Sequence, residues 1–201
     1  MEPSFTLRAL DAVAHDLRND VNVVVGGVHL LLDPDEVPFA REVHGAIGGV
    51  AAMVDRLVLA AQIEAEGEPE RVAYSVADLL GLASRRAVRE GALVQMEATG
   101  AADLKARVVP MWAERLLTDV IHTASWLGVR ALAAVVHSRD DADGISVVLR
   151  GTVAEAPRGS RERTMSFMEQ LREQLAAGCH AAVRVDSAGK VFSSHMVLPR
   201  A

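Results

Sequence analysis

The chain contains a single cysteine, Cys179, among its 201 residues. No intrachain disulfide can therefore form, and a cysteine-based metal site is not expected. Long apolar runs are also missing: charged or polar residues break every stretch before the roughly 18 needed to cross a bilayer. The sequence opens on Glu2 rather than on a basic and then apolar signal region, so the expected compartment is the cytoplasm, with no membrane partner. Basic residues are outnumbered, 21 Lys and Arg against 27 Asp and Glu, giving a formal charge of -6. That balance argues against a nucleic-acid surface, where clustered cations are needed to neutralise phosphates. His29, His44, His122, His137, His180 and His195 form no zinc-binding spacing and read as ordinary surface or core residues. The run Asp140 to Gly144 lacks the distal glutamate of a calcium loop and reads as a hairpin turn.

What is present in quantity is core material. Half of the residues are hydrophobic, enough to fold one large domain or two small ones. From Leu10 the apolar positions run Leu10, Ala14, Leu17, Val21, Val24, Val28 and Leu31, alternating steps of four and three as in a coiled-coil seam. Asp33-Pro34-Asp35 stops this helix, because proline cannot donate to the helical ladder and restricts the residue before it. A second helix starts near Pro38, with a seam at Phe39, Val43, Ala46, Val50, Met53, Leu57 and Ala60. Two helices with a short connection pack antiparallel. One hairpin alone leaves much of its seam exposed, so pairing of two hairpins into a four-helix bundle, a homodimer, is expected. The first domain then covers residues 1–66.

His15 follows the seam residue Ala14 by one position, about 100° around the helix, which sets its imidazole on the outer face. An exposed histidine beside a carboxylate, here Asp16, has the makings of a nucleophile. Most surface histidines do no chemistry, so position alone does not separate a nucleophile from an inert residue.

The run Ala14-His15-Asp16-Leu17-Arg18-Asn19-Asp20 resembles the phosphoacceptor box of bacterial two-component sensor histidine kinases: a histidine, then an acid, an apolar residue, a base, and Asn or Thr. It departs at Asp20, where that family usually has proline, a change that removes a helix bend. The stretches Val24 to Leu32 and Leu57 to Ala65 resemble the rest of the family's hairpin. The resemblance implies that His15 accepts the phosphoryl group, that Asp16 polarises it, and that Asn19 helps to place water in phosphatase chemistry. Arg18 would counter phosphate charge through the paired donors of its guanidinium.

Beyond the polar linker Gly67-Glu68-Pro69-Glu70, the pattern predicts a second domain over 67–201. It begins with a helix capped by Ser75 and continues with strands over 91–97 and 104–109, a helix from Trp112 to Leu127, and strands at 131–137 and 145–150. A helix over 161–177 and strands over 181–186 and 191–198 complete it. The expected fold class is α+β: a helical hairpin that dimerises, followed by an α/β sandwich. That order resembles the ATP-binding domain of histidine kinases in layout, whereas the motifs differ. The resemblance calls for an Asn-bearing magnesium helix, an Asp-x-Gly-x-Gly turn and a glycine-rich lid. The chain instead has Leu116 to Trp126 without an Asn, Arg150-Gly151-Thr152-Val153-Ala154-Glu155 without an aspartate, and the single Gly159 between 156 and 170. No cofactor and no ATP are expected.

A histidine box joined to such a domain is similar to the bacterial histidine phosphotransferases of the ChpT type. By that resemblance, His15 relays phosphoryl groups between the aspartates of response-regulator receiver domains, a hybrid histidine kinase among the partners, and the receiver brings the magnesium. Receivers would dock after His15 on Asn22, Val25, Gly26 and His29. Rival readings of the same residues are an adaptor that never carries phosphate, a divergent kinase or phosphatase, and an anti-sigma-type regulator. The heptads and the histidine box count against the last of these.

Overall fold

In a computed structural model, the structure describes residues 56, 59, 69–100, 103–139, 144–153, 162–188 and 190–201. The heptad segments other than Arg56 and Leu59, the turn residues 140–143 and the segment 154–161 lie outside the described residues.

The elements follow in the order β1 (Val72–Ser75), α1 (Val76–Arg89), β2 (Gln95–Thr99), β3 (Lys105–Val108), α2 (Pro110–Trp126), β4 (Val129–Ser138), β5 (Gly144–Val153), α3 (Glu162–Gly178), β6 (Ala182–Ala188) and β7 (Val191–Pro199). The helix boundaries have local causes. Ser75 caps α1 by accepting a hydrogen bond from the Asp78 amide at 3.2 Å, which satisfies one of the donors a helix start leaves open. Gly91, at φ 90°, takes the left-handed turn just after α1, a conformation that costs glycine little. Pro110 opens α2 at its first turn, where a missing amide proton is no loss.

β2, β4, β5, β7 and β6 form a five-stranded sheet in that order, and β1 pairs with β3 in a separate two-stranded sheet. β2 runs parallel to β4, and the remaining pairs are antiparallel. Strand alternation sets the inner face: Leu132, Ala134 and Val136 of β4, Ile145, Val147 and Leu149 of β5, and Phe192, Met196 and Leu198 of β7 are buried. Against them pack Leu79, Leu80 and Ala83 of α1, Leu116, Leu117, Val120 and Ile121 of α2, and Met168, Leu171 and Leu175 of α3. The result is a helical layer on a mixed sheet, the α/β sandwich that the element order predicts. Among the described residues no helix is long and apolar enough to cross a membrane.

α2 is the middle helix and packs against both α1 and α3. It has almost no solvent face, so its polar residues are buried with its apolar ones. That placement creates the site described next.

Candidate functional site: a buried ionic cluster on the central helix

Arg115, Asp119 and His122 follow one another on α2 at steps of four and three, so they lie in one stripe. The stripe is buried, Asp119 at 2% exposure and His122 at 3%, and isolated charges there would be strongly destabilising. Neighbouring elements supply the partners. Glu90, at the C-cap of α1, accepts a hydrogen bond from Arg115 Nη1 at 2.6 Å through Oε1. Its other oxygen, Oε2, lies 3.0 Å from His122 Nε2. Arg172 of α3 donates from Nε to Asp119 Oδ2 at 3.2 Å and from Nη2 to Thr123 Oγ1 at 3.1 Å. The Thr123 hydroxyl is itself satisfied by donating to the Asp119 carbonyl at 2.9 Å.

A further cation comes from the heptad segment. Arg56 is 3% exposed, and its Nε stands 3.8 Å from Asp119 Oδ1 while Nη2 stands 3.9 Å from Glu90 Oε2. Its guanidinium carbon lies 5.8 Å from the Trp126 ring centroid, within cation–π range. Leu59, one helical turn on, is buried in the same hydrophobic core as α1, α2 and α3. Positions 56 and 59 each precede a residue of the predicted seam, Leu57 and Ala60, so both lie off that predicted seam.

The charges fix the protonation states. Burial pushes the Glu90 carboxyl up, but the His122 hydrogen bond and the charges of Arg115 and Arg56 outweigh it and hold the group at about 2. Deeper burial wins at Asp119, whose carboxyl is raised against the opposing pull of Arg172 and Arg56. Burial lowers His122, and Arg56 pushes the same way, while the Glu90 hydrogen bond opposes them. His122 is therefore neutral near pH 7, its Nε2–H donating to Glu90. Arg86 extends the network, donating to Glu114 Oε1 at 2.8 Å and standing 3.7 Å from Glu90. Among the described residues, Arg56, Arg86, Arg115 and Arg172 thus meet the carboxylates of Glu90, Glu114 and Asp119.

This is the helix on which the resemblance to histidine kinases calls for magnesium ligands. The donor set does not fit a divalent cation, because the guanidinium of Arg172 already holds the Asp119 carboxylate and the Thr123 hydroxyl. Among the described residues no group of three or more His, Cys, Asp or Glu is placed to hold a metal. His15, Asp16, Arg18 and Asn19 and the expected docking residues Asn22, Val25, Gly26 and His29 all lie outside the described residues. The structure instead brings together Arg56, Glu90, Arg115, Asp119, His122 and Arg172, a group that sequence reasoning did not single out. The available signal was a central helix with charged residues but no side left for water.

No protein-family model matches the chain, and no curated protein matches it in sequence. Solved structures do match in fold. The Acinetobacter baumannii histidine kinase AdeS aligns with a TM-score of 0.60 at 8% identity, covering 92% of this chain and 98% of that one. A structure titled as a bacterial phosphotransferase aligns over 98% of both chains, with a TM-score of 0.52 at 12% identity. The mycobacterial sensor histidine kinase MprB aligns with 65% of this chain and 97% of its own at a TM-score of 0.50 and 16% identity. The chain has a histidine-kinase-like α+β fold, in which the sandwich resembles a histidine kinase catalytic domain.

Proposed function

We propose that the protein is a histidine phosphotransferase that relays phosphoryl groups through His15 and does not draw them from ATP. The observation that carries this reading is the occupation of the central helix by the chain's own arginines, in a fold shared with histidine kinases. A nucleotide with its magnesium would have to displace Arg172 from Asp119 and Thr123. The histidine box at Ala14 to Asn19 retains the acceptor, and end-to-end similarity in fold to a bacterial phosphotransferase supports the same assignment.

In the proposed reaction the imidazole of His15 attacks the phosphorus of a receiver's aspartyl phosphate. A nitrogen–phosphorus bond forms, the acyl phosphate's phosphorus–oxygen bond breaks, and the receiver's carboxylate is released; the reverse step loads a second receiver. Such transfer depends mainly on in-line positioning and charge neutralisation, and the receiver supplies magnesium and lysine for the latter. Asp16 orients and polarises the imidazole, Arg18 counters phosphate charge, and Asn19 places water where phosphate is lost. Asn22, Val25, Gly26 and His29 form the docking strip, residues 1–66 dimerise as a four-helix bundle, and 67–201 form the second domain.

The test is transfer of label. Purified protein is mixed with labelled phosphorylated receiver domains and, separately, with labelled ATP. Label reaching wild type but not His15→Ala, with none arriving from ATP, is the expected result. Label from ATP alone would make the protein a kinase. Regulation of a receiver that survives His15→Ala would make it an adaptor.

A further inference from the structure

We propose that a cavity where β1, β3, β7 and the end of α3 meet binds a small zwitterion, its oxyanion held by Arg107, Arg71 and His180 and its ammonium by Glu70. The site shares no residue with the histidine box or with the cluster on α2, and it stands whether or not His15 carries phosphate.

Among the described residues the cavity is lined by Glu70, Arg71, Arg107, His180 and Pro199, and its volume is about 320 Å³. Small-molecule sites run from roughly 300 to 1,000 Å³, so a compact ligand fits. The walls come from distant parts of the chain. Arg107 alternates on β3 with the buried Ala106 and Val108, which turns its side chain away from the core. Glu70 and Arg71 lead into β1, the partner strand of β3, and Pro199 ends β7. Arg71 Nε donates to the Gly178 carbonyl at 3.0 Å, holding the approach to β1 against the last turn of α3.

Two independent observations point to a ligand. Glu70 and Arg107 line one cavity, yet among the described residues neither side chain makes a hydrogen bond or an ion pair. A carboxylate and a guanidinium that share a cavity without meeting suit a molecule carrying both charges. Its oxyanion takes the paired donors of the guanidinium, and its ammonium donates to the carboxylate. The other observation is His180. α3 ends in a Schellman turn, with the Ala181 amide donating to the Ala176 carbonyl at 2.8 Å and the His180 amide to the Ala177 carbonyl at 3.0 Å. The left-handed residue of that turn is His180, at φ 52°, whereas Gly91 after α1 and Gly128 after α2 take such a conformation at 90° and 81°. Glycine is favoured there because a Cβ crowds the following carbonyl. The chain thus carries an imidazole where the backbone favours glycine, and that imidazole lines the cavity with a ring N–H to donate in either protonation state.

The probes are 4-aminobutanoate and phosphoethanolamine, zwitterions whose oxyanion is a carboxylate in one and a phosphate in the other. Propionate and inorganic phosphate carry the anion alone. Each is titrated into the full isotope-labelled chain, and the amide shifts around Arg107 and His180 give the dissociation constants. One zwitterion should bind with a Kd on the order of 1 mM, roughly tenfold more tightly than its anion alone, and which of the two binds identifies the oxyanion. Arg107→Gln, at an exposed side chain, should weaken binding on the order of tenfold. Glu70→Gln should abolish the preference for the zwitterion over the anion. His180→Gly should weaken binding while raising the urea midpoint, because glycine relieves the left-handed turn. Four results would each overturn the proposal: no shift with either zwitterion, anions that bind as tightly as the zwitterions, an Arg107→Gln or Glu70→Gln protein that matches wild type, or a His180→Gly protein that binds like wild type.

Discussion

Replacing Arg172 with Met keeps an unbranched apolar stem and removes the charged guanidinium. Two hydrogen bonds are lost, to Asp119 Oδ2 at 3.2 Å and Thr123 Oγ1 at 3.1 Å, and the Asp119 carboxylate stays behind at 2% exposure. Breaking a buried ion pair on one side costs roughly 3–5 kcal/mol, since the remaining charge loses its compensation. Arg56 still stands 3.8 Å from the other oxygen, so the lower end, about 3 kcal/mol, is expected. At about 2–4 °C per kcal/mol for a chain of this size, Tm should fall by roughly 6–12 °C. Urea unfolding followed by circular dichroism gives the same quantity, provided the slope m is unchanged. The double variant Arg172→Met with Asp119→Leu should recover more than half of the loss, because a buried pair exchanged for apolar residues of similar size is often neutral. A loss below about 1 kcal/mol in the single variant, or simple additivity in the double, would refute the claim that the two residues neutralise each other inside the helical layer.

Two other outcomes follow from the packing at the end of α3. A Cβ added at Gly178 would collide with the Trp112 ring, so Gly178→Ala should destabilise by about 1–3 kcal/mol, read as a lower urea midpoint; an unchanged midpoint would show that the ring moves aside freely. Cys179 is fully buried and its thiol is pushed up to about 11 by burial. At pH 8 the reactive thiolate is scarce, so a thiol reagent should label the folded protein far more slowly than the protein in denaturant, and equal rates would contradict the placement.

Much of the sandwich could be read from local patterns. The Ser75 cap, the amphipathic stretch from Trp112 and the alternating runs around 131–137 and 191–198 all correspond to observed elements, because periodicity and capping are properties of neighbouring residues. β1 escaped notice: Val72–Ser75 is four residues long, too short for alternation to register, and it exists through pairing with the distant β3. The ionic cluster was hidden for the same reason. Arg115 finds Glu90 across 25 residues and Arg172 finds Asp119 across 53, and charges at helical spacing ordinarily read as a wet face. Only the packing of α2 between its two neighbours shows that water has no access to that stripe.

The shared carboxylates also bear on how such a chain can change over generations. A substitution at Asp119 strands Arg172, and one at Arg172 strands Asp119, so either single step passes through a destabilised protein. Among relatives these positions should change together or not at all, with Glu90 tied in the same way to Arg115 and His122. The Arg184–Asp186 pair on β6, with side chains 79% and 49% exposed, carries no such constraint, because an ion pair in water contributes little. Its two positions should drift independently, leaving the helical layer as the place where the history of this chain is written in pairs.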